Sequence, residues 1–302
     1  MTPFKTYFAG VQCPEADEYI NEKGLHRLLS YWNDKRIFKQ RVEAGLKTFL
    51  DSGAFTAWTK GTVVDVDEYI EFVNKYDKGL EYFMQVDAIP GKRGYEPTAE
   101  ERRLANEETW QNFLYMHKRV KSPHKLVPVF HVGSNLQLLH KMLDFRPKIE
   151  VLALGNTVGR TQVEKAAKIG AAFEEIKRSS YPDIKVHVLG VQDFNIIEKF
   201  PMYSADASSW IMASANGAIM TDFGPVLVSE KSTEKKTHFV NLSKPVQDRI
   251  LEYIDRYGFN MKELSKEYKK RTLFNIKWLE ERSKQYECKH HESLKQRQET
   301  LF

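Results

Sequence analysis

The 302-residue chain has little cysteine: Cys13 and Cys288 are the only two, and they lie far apart. Two thiols cannot build the disulfide framework of a small secreted domain, so a reducing compartment is the expectation. Long apolar runs are missing as well. No stretch approaches the roughly 18 apolar residues of a membrane-spanning helix. The opening Met1-Thr2-Pro3-Phe4-Lys5 lacks the charged-then-apolar layout of a secretory signal. A soluble, cytoplasmic protein with no membrane partner is therefore expected. Cys288, His290 and His291 stand close together, but one Cys and two adjacent His lack the spacing of a tetrahedral site. Neither a metal nor a cofactor is expected.

What is present is apolar and aromatic material in quantity. Hydrophobic residues make up 41% and aromatics 12%, enough for a sizeable core in a chain of α/β-barrel length. The net charge of +5 is uneven. From Lys231 onward there are 17 Lys and Arg against 11 Asp and Glu, which leaves 29 against 30 in the first 230 residues. A near-neutral body with a basic tail suggests phosphate contact through Lys235, Lys236, Lys266, Lys269, Lys270 and Arg271. The competing reading is a helix of mixed sign that is simply solvated.

Eight short apolar runs recur before Thr221: Tyr7–Val11, Thr48–Leu50, Tyr82–Val86, Leu126–Phe130, Val151–Leu154, Val186–Leu189, Met202–Ala205 and Ala218–Met220. Runs of this length suit strands buried on both faces of a parallel sheet. Segments of helical period separate most of them: Ala16–Ala44, Val66–Tyr76, Ala99–Arg119, Leu136–Met142, Gln162–Arg178 and Asn195–Phe200. Strands alternating with helices predict an α/β fold, a (β/α)8 TIM-type barrel over residues 1–230. Residues 231–302 read as a basic helical extension with helices over Pro245–Tyr257, Met261–Tyr268 and Leu273–Glu287. The turn at Gly258 suits a helix-turn-helix or helices packed outside a barrel.

In such a barrel, reactive groups stand where strands end. Polar residues or glycine occupy those positions here: Asp51 after Thr48-Phe49-Leu50, Asp87 after Gln85-Val86, His131 after Val129-Phe130, Gly155 after Ala153-Leu154, Gly190 after Val188-Leu189, and Asp206 after Ser204-Ala205. Asp is also a common helix N-cap after a strand. Three carboxylates at one mouth suit chemistry at a glycosidic carbon. One attacks the sugar, a second manages the leaving group's proton, and repulsion holds one of them protonated.

These residues resemble a family. Asp51-Ser52-Gly53-Ala54-Phe55 is similar to the Asp-Ser-Gly-Gly-Phe signature of tRNA-guanine transglycosylases. Further likenesses follow in the family's order: Met84-Gln85-Val86-Asp87, Val129-Phe130-His131-Val132-Gly133, Ala153-Leu154-Gly155-Asn156 with Val158-Gly159, Leu189-Gly190-Val191, Met202-Tyr203-Ser204-Ala205-Asp206 and Asn216-Gly217-Ala218. The resemblance covers about residues 50 to 222. It implies Asp206 as nucleophile, Asp51 as general acid/base and Asp87 as reader of the purine N–H edge. It also implies Phe55 as a stacking residue and Gly155 as room for the base. Ser52, Gly53, His131, Asn156 and Gly190 complete the expected substrate site.

The chain departs from the family in three places. His131 replaces a base-reading Gln, the Cys-rich zinc cluster has no counterpart, and Ala207-Ser208-Ser209-Trp210 stands where a Pro-Thr-Arg stretch contacts tRNA. With those features missing, the chain looks more like the DNA-guanine transglycosylases of phages and bacteria. The partners implied are DNA, with tRNA as the alternative, and a guanine or 7-deazaguanine base; the setting is host cytoplasm if the gene is a phage's. Trp210, Lys269, Lys270 and Arg271 are the candidate nucleic-acid contacts, Trp210 being equally readable as core. A divergent tRNA enzyme, a glycosidase and a non-catalytic nucleic-acid-binding paralogue remain as alternatives.

Overall fold

The computed structural model describes residues 4–10, 13–92, 94–157 and 161–286. Cys288, His290, His291, Val158 and Gly159 lie outside the described residues. The chain divides into two compact units, one built on Met1–Ala9 with His26–Asp206, the other on Gly10–Leu25 with Ala207–Glu287.

The first unit is the barrel. Its strands are β1 (Lys5–Ala9), β2 (Arg27–Ser30), β3 (Thr48–Asp51), β4 (Leu80–Met84), β5 (Leu126–Val127), β6 (Val129–His131), β7 (Val151–Gly155), β8 (Lys185–Val188) and β9 (Ser204–Ala207). They form one all-parallel sheet in the order β5-β4-β3-β2-β1-β9-β8-β7-β6. Its two ends are neighbours in sequence, separated by Pro128 alone. Proline has no N–H to give to a ladder, so the regular pairing breaks there. The carbonyls on either side continue it: Val127 accepts from Gln85 N–H at 3.0 Å and Pro128 accepts from Ala153 N–H at 2.9 Å. Leu126–His131 thus acts as one strand that closes an eight-stranded TIM-type barrel.

Alternation fills the interior. Tyr7 and Ala9, Tyr82 and Met84, Val127 and Val129, and Val151 and Ala153 join Leu28 and Phe49 in one buried cluster. The spacing of two within each pair sends both side chains to the same face. Outer helices begin at caps that the sequence supplies. Thr98 accepts from Glu101 N–H while the Glu101 carboxylate accepts from Thr98 N–H, and Thr161 and Glu164 repeat this reciprocal box. The helix over Gln162–Arg178 has the bounds its apolar period predicts.

Two expected elements differ. Arg27–Ser30 is a strand rather than part of one long helical segment from Ala16 to Ala44; it pairs with β1 and β3 on its two sides. Ala218–Met220 is not the eighth barrel strand. Ala218–Thr221 (β10) pairs antiparallel with Gly224–Leu227 (β11), in a separate two-stranded sheet of the second unit. A three-residue apolar run specifies burial, not its partner.

The second unit surrounds that hairpin with helices Pro14–Glu22, Ser209–Ala215, Lys244–Arg256, Met261–Lys266 and Tyr268–Gln285. Buried Asn275 binds it together, accepting from Met220 N–H at 2.7 Å and donating to the Trp210 carbonyl at 3.1 Å. Among the described residues no helix is long and apolar enough to cross a membrane.

Candidate active site

The C-terminal ends of the barrel strands carry the expected polar residues. Asp51 ends β3, and its carboxylate accepts from the Gly53 N–H two residues on at 3.0 Å. That turn needs glycine. Gly53 has φ +77°, and a Cβ there would lie 2.4 Å from the Trp32 Cβ and 2.6 Å from the Ser30 hydroxyl. Ser52 is fully buried and its hydroxyl accepts from Ala54 N–H. Ser52 and Gly53 therefore shape the loop that aims Asp51, and do not line the open mouth.

Asp87 follows β4, and its flanks are pinned from the helix over Ala99–His117. The Val86 carbonyl accepts from Asn112, and Ala88 N–H donates to the Thr109 hydroxyl. Its carboxylate meets His131 Nε2 at 3.0 Å. His131 lies opposite Gly155 in the β6–β7 register. A Cβ on Gly155 would come within 3.0 Å of the imidazole Cδ2 and 3.1 Å of Val129. Gly155 gives its space to the His131 ring. Asn156, at φ +63°, donates to the Val132 carbonyl at 3.2 Å and so braces the same loop.

Asp206, on β9, is buried. Its Oδ1 accepts from the Gly190 N–H and faces His187 Nε2, both at 3.2 Å. Gly190, expected to contact a substrate, spends its N–H on the carboxylate. His187, a residue that strand-end reading passes over because it sits inside β8, is fully buried beneath it. A lone polar residue between Val186 and Val188 was the available signal.

The three carboxylates share a field with no Lys or Arg paired to any of them among the described residues. Asp51 responds most: its carboxyl is pushed up to about 7, by burial first and then by the charge on Asp87, with Asp206 and Asp34 adding repulsion against the opposing Gly53 N–H. A group poised there carries protons in either direction near neutral pH. Phe55, at the start of the helix Ala54–Thr59, is 58% exposed. It packs beside Trp58 with ring centroids 5.8 Å apart, and Trp58 is tethered to the Gly91 carbonyl. An exposed, braced aromatic face can stack on a planar ligand.

Two expected nucleic-acid contacts are corrected. Trp210 is fully buried in the second unit, so its ring is core. Arg271 is 5% exposed, and its guanidinium donates to the carbonyls of Ser214 at 3.0 Å and Leu264 at 2.7 Å. A cation committed to buried carbonyls cannot reach a phosphate. Lys269 stays at the surface, paired with Glu15 at 2.7 Å, and Lys270 is half-buried.

Fold and site together define an α/β-barrel protein whose mouth gathers Asp51, Asp87, Asp206 and His131. No protein-family model matches the chain, and no curated protein matches it.

Proposed function

We propose that this chain is a guanine transglycosylase that exchanges a guanine in DNA for a 7-deazaguanine such as 7-cyano-7-deazaguanine. The observation that carries the reading is the pair Asp206 and Asp51. The Asp206 carboxylate accepts from the Gly190 N–H and meets His187 Nε2, and the Asp51 carboxyl keeps its proton to about 7. A carboxylate fixed by hydrogen bonds suits the nucleophile, and one that keeps its proton near neutral pH suits the proton carrier.

In the first half-reaction the Asp206 carboxylate attacks the sugar's anomeric carbon. The bond to the guanine ring nitrogen breaks, and the departing base takes the bond pair together with the Asp51 proton. In the second, the incoming base gives its ring N–H proton to Asp51 and attacks the same carbon, releasing Asp206. Asp87, oriented by His131, accepts from the purine N–H edge, while Phe55 supports the base face. No water enters the balance, and a barrel mouth that admitted water would yield a glycosidase instead.

The test is to incubate the protein with labelled guanine and either duplex DNA or tRNA. Label entering DNA is the expected result. Label entering tRNA alone moves the reading to a divergent tRNA enzyme, and label entering neither overturns the exchange reaction.

A further inference from the structure

We propose that His187 is a positioning residue for Asp206, that Ser204 sets its ring, and that Oδ2 of Asp206 is the attacking atom. This rests on the transglycosylase reading for its chemistry, though the contacts stand apart from it.

His187 lies in the barrel interior, with the Phe49 ring 4.9 Å and the Tyr7 ring 5.6 Å from its own. A position packed between aromatic rings is suited to another apolar ring, yet an imidazole occupies it, and both of its nitrogens are engaged. Nδ1 stands 2.9 Å from the Ser204 hydroxyl, and Nε2 stands 3.2 Å from Asp206 Oδ1. A carboxylate only accepts, so the hydrogen on this side belongs to Nε2. In the neutral ring Nδ1 is then the acceptor, and the Ser204 O–H donates to it. Ser204 and Asp206 share β9 and point to the same face, two residues apart. The strand spacing therefore fits both ends of one imidazole.

The consequence concerns which oxygen reacts. Gly190 N–H and His187 Nε2–H both converge on Oδ1, and Oδ2 has no hydrogen-bond partner among the described residues. Attack through Oδ2 leaves Oδ1 as the carbonyl oxygen of the sugar ester. When the incoming base displaces the ester, charge returns to the carboxylate, and the two donors already aimed at Oδ1 stabilise it without rearrangement. His187 thereby acts in both half-reactions while touching neither sugar nor base.

Two substitutions separate positioning from packing. His187→Phe keeps an aromatic ring and loses the donor; His187→Gln keeps a donor near the Nε2 position and loses the ring. If His187 positions Asp206, H187F lowers kcat by about 10²–10³-fold, the usual worth of one such donor. It leaves KM for the base within about threefold, and H187Q regains at least about tenfold of the loss. If the residue only packs, H187F matches wild type and H187Q is the impaired one, which overturns the proposal. A second measurement needs no turnover: side-chain ¹⁵N spectra of histidine in the full chain. Nε2-protonated His187, with a resonance that moves in Asp206→Ala, is expected. A resonance indifferent to that change overturns the contact. Absence of base exchange by the wild type overturns the activity reading separately, because the spectra decide the contact in either case.

Discussion

The barrel mouth and the helical unit both bury charge, and they treat it in opposite ways. In the helical unit, buried Arg271 is matched by two carbonyls, and surface charges are largely answered within the unit: Lys269 by Glu15, Arg256 by Glu281, Lys284 by Glu280. In the mouth, Asp51, Asp87 and Asp206 face one another without a paired Lys or Arg among the described residues. Charge matched by an opposite charge or by buried carbonyls holds a fold together, whereas carboxylates that repel one another lower stability, and such clusters are candidates for a functional site. Basic residues are in excess in the tail, whereas carboxylates with no Lys or Arg partner among the described residues gather at the mouth.

That contrast can be broken at five places. On the proposed transglycosylase reaction, Asp206→Ala should abolish base exchange and any trapped protein–DNA adduct, because the covalent route then has no attacking group. Exchange within about tenfold of wild type would exclude Asp206 as nucleophile. Asp51→Asn should slow exchange about 10²–10⁴-fold, the usual worth of a positioned acid/base. It should also raise stability. An unfolded Asp51 ionises near the ordinary carboxylate range, while the folded one resists until about 7. The wild type thus loses stability as pH rises between those values, and the Asn variant does not. At pH 8 the gain should reach up to ~4 kcal/mol, and at pH 4 it should fall below ~1 kcal/mol. Urea unfolding of both proteins at the two pH values checks the sign.

Arg271→Met should cost about 2–4 kcal/mol, since the Ser214 and Leu264 carbonyls lose their donor inside the unit. The salt dependence of DNA binding should be the same as wild type. A shallower salt slope in a well-folded R271M would return Arg271 to the phosphate surface. Asp87→Asn should weaken guanine binding about 10–100-fold, because an amide offers a donor to a donor and loosens His131. Calorimetric titration with guanine measures this, and unchanged affinity removes Asp87 from base reading. The smallest effect is expected from Lys269→Gln with Lys270→Gln. An exposed pair such as Lys269–Glu15 contributes about 0.2–1 kcal/mol, and the DNA salt slope should change by about one unit at most. A change of two or more would restore the tail as a nucleic-acid surface.

Residues at the strand ends are legible in the sequence because residue type and position coincide there. Asp51, Asp87, His131, Gly155 and Asp206 each follow an apolar run, and the barrel puts all five at its strand ends. Elements that only their partners define are not legible in this way. Arg27-Leu28-Leu29-Ser30 offers two apolar residues between polar ones, too little to separate a strand from the helical periods around it; pairing with β1 and β3 makes it one. Ala218–Met220 carries the strand signal, but nothing in three residues says whether the neighbour is parallel or a hairpin. Trp210 and Arg271 have the side chains of a nucleic-acid contact, and burial alone redirects them.

Alternating apolar runs, capping boxes such as Thr98 with Glu101, and polar residues after strands are local properties, so the sequence by itself determined a barrel and most of its polar rim. The tertiary structure alone decided that Leu126–His131 is the strand that closes the barrel, that Gly190 and His187 meet on one oxygen of Asp206, and that Asp51 keeps its proton to about 7. Each of these depends on distances between residues far apart in the chain. Desolvation and charge repulsion act through space, and no spacing along the sequence encodes them.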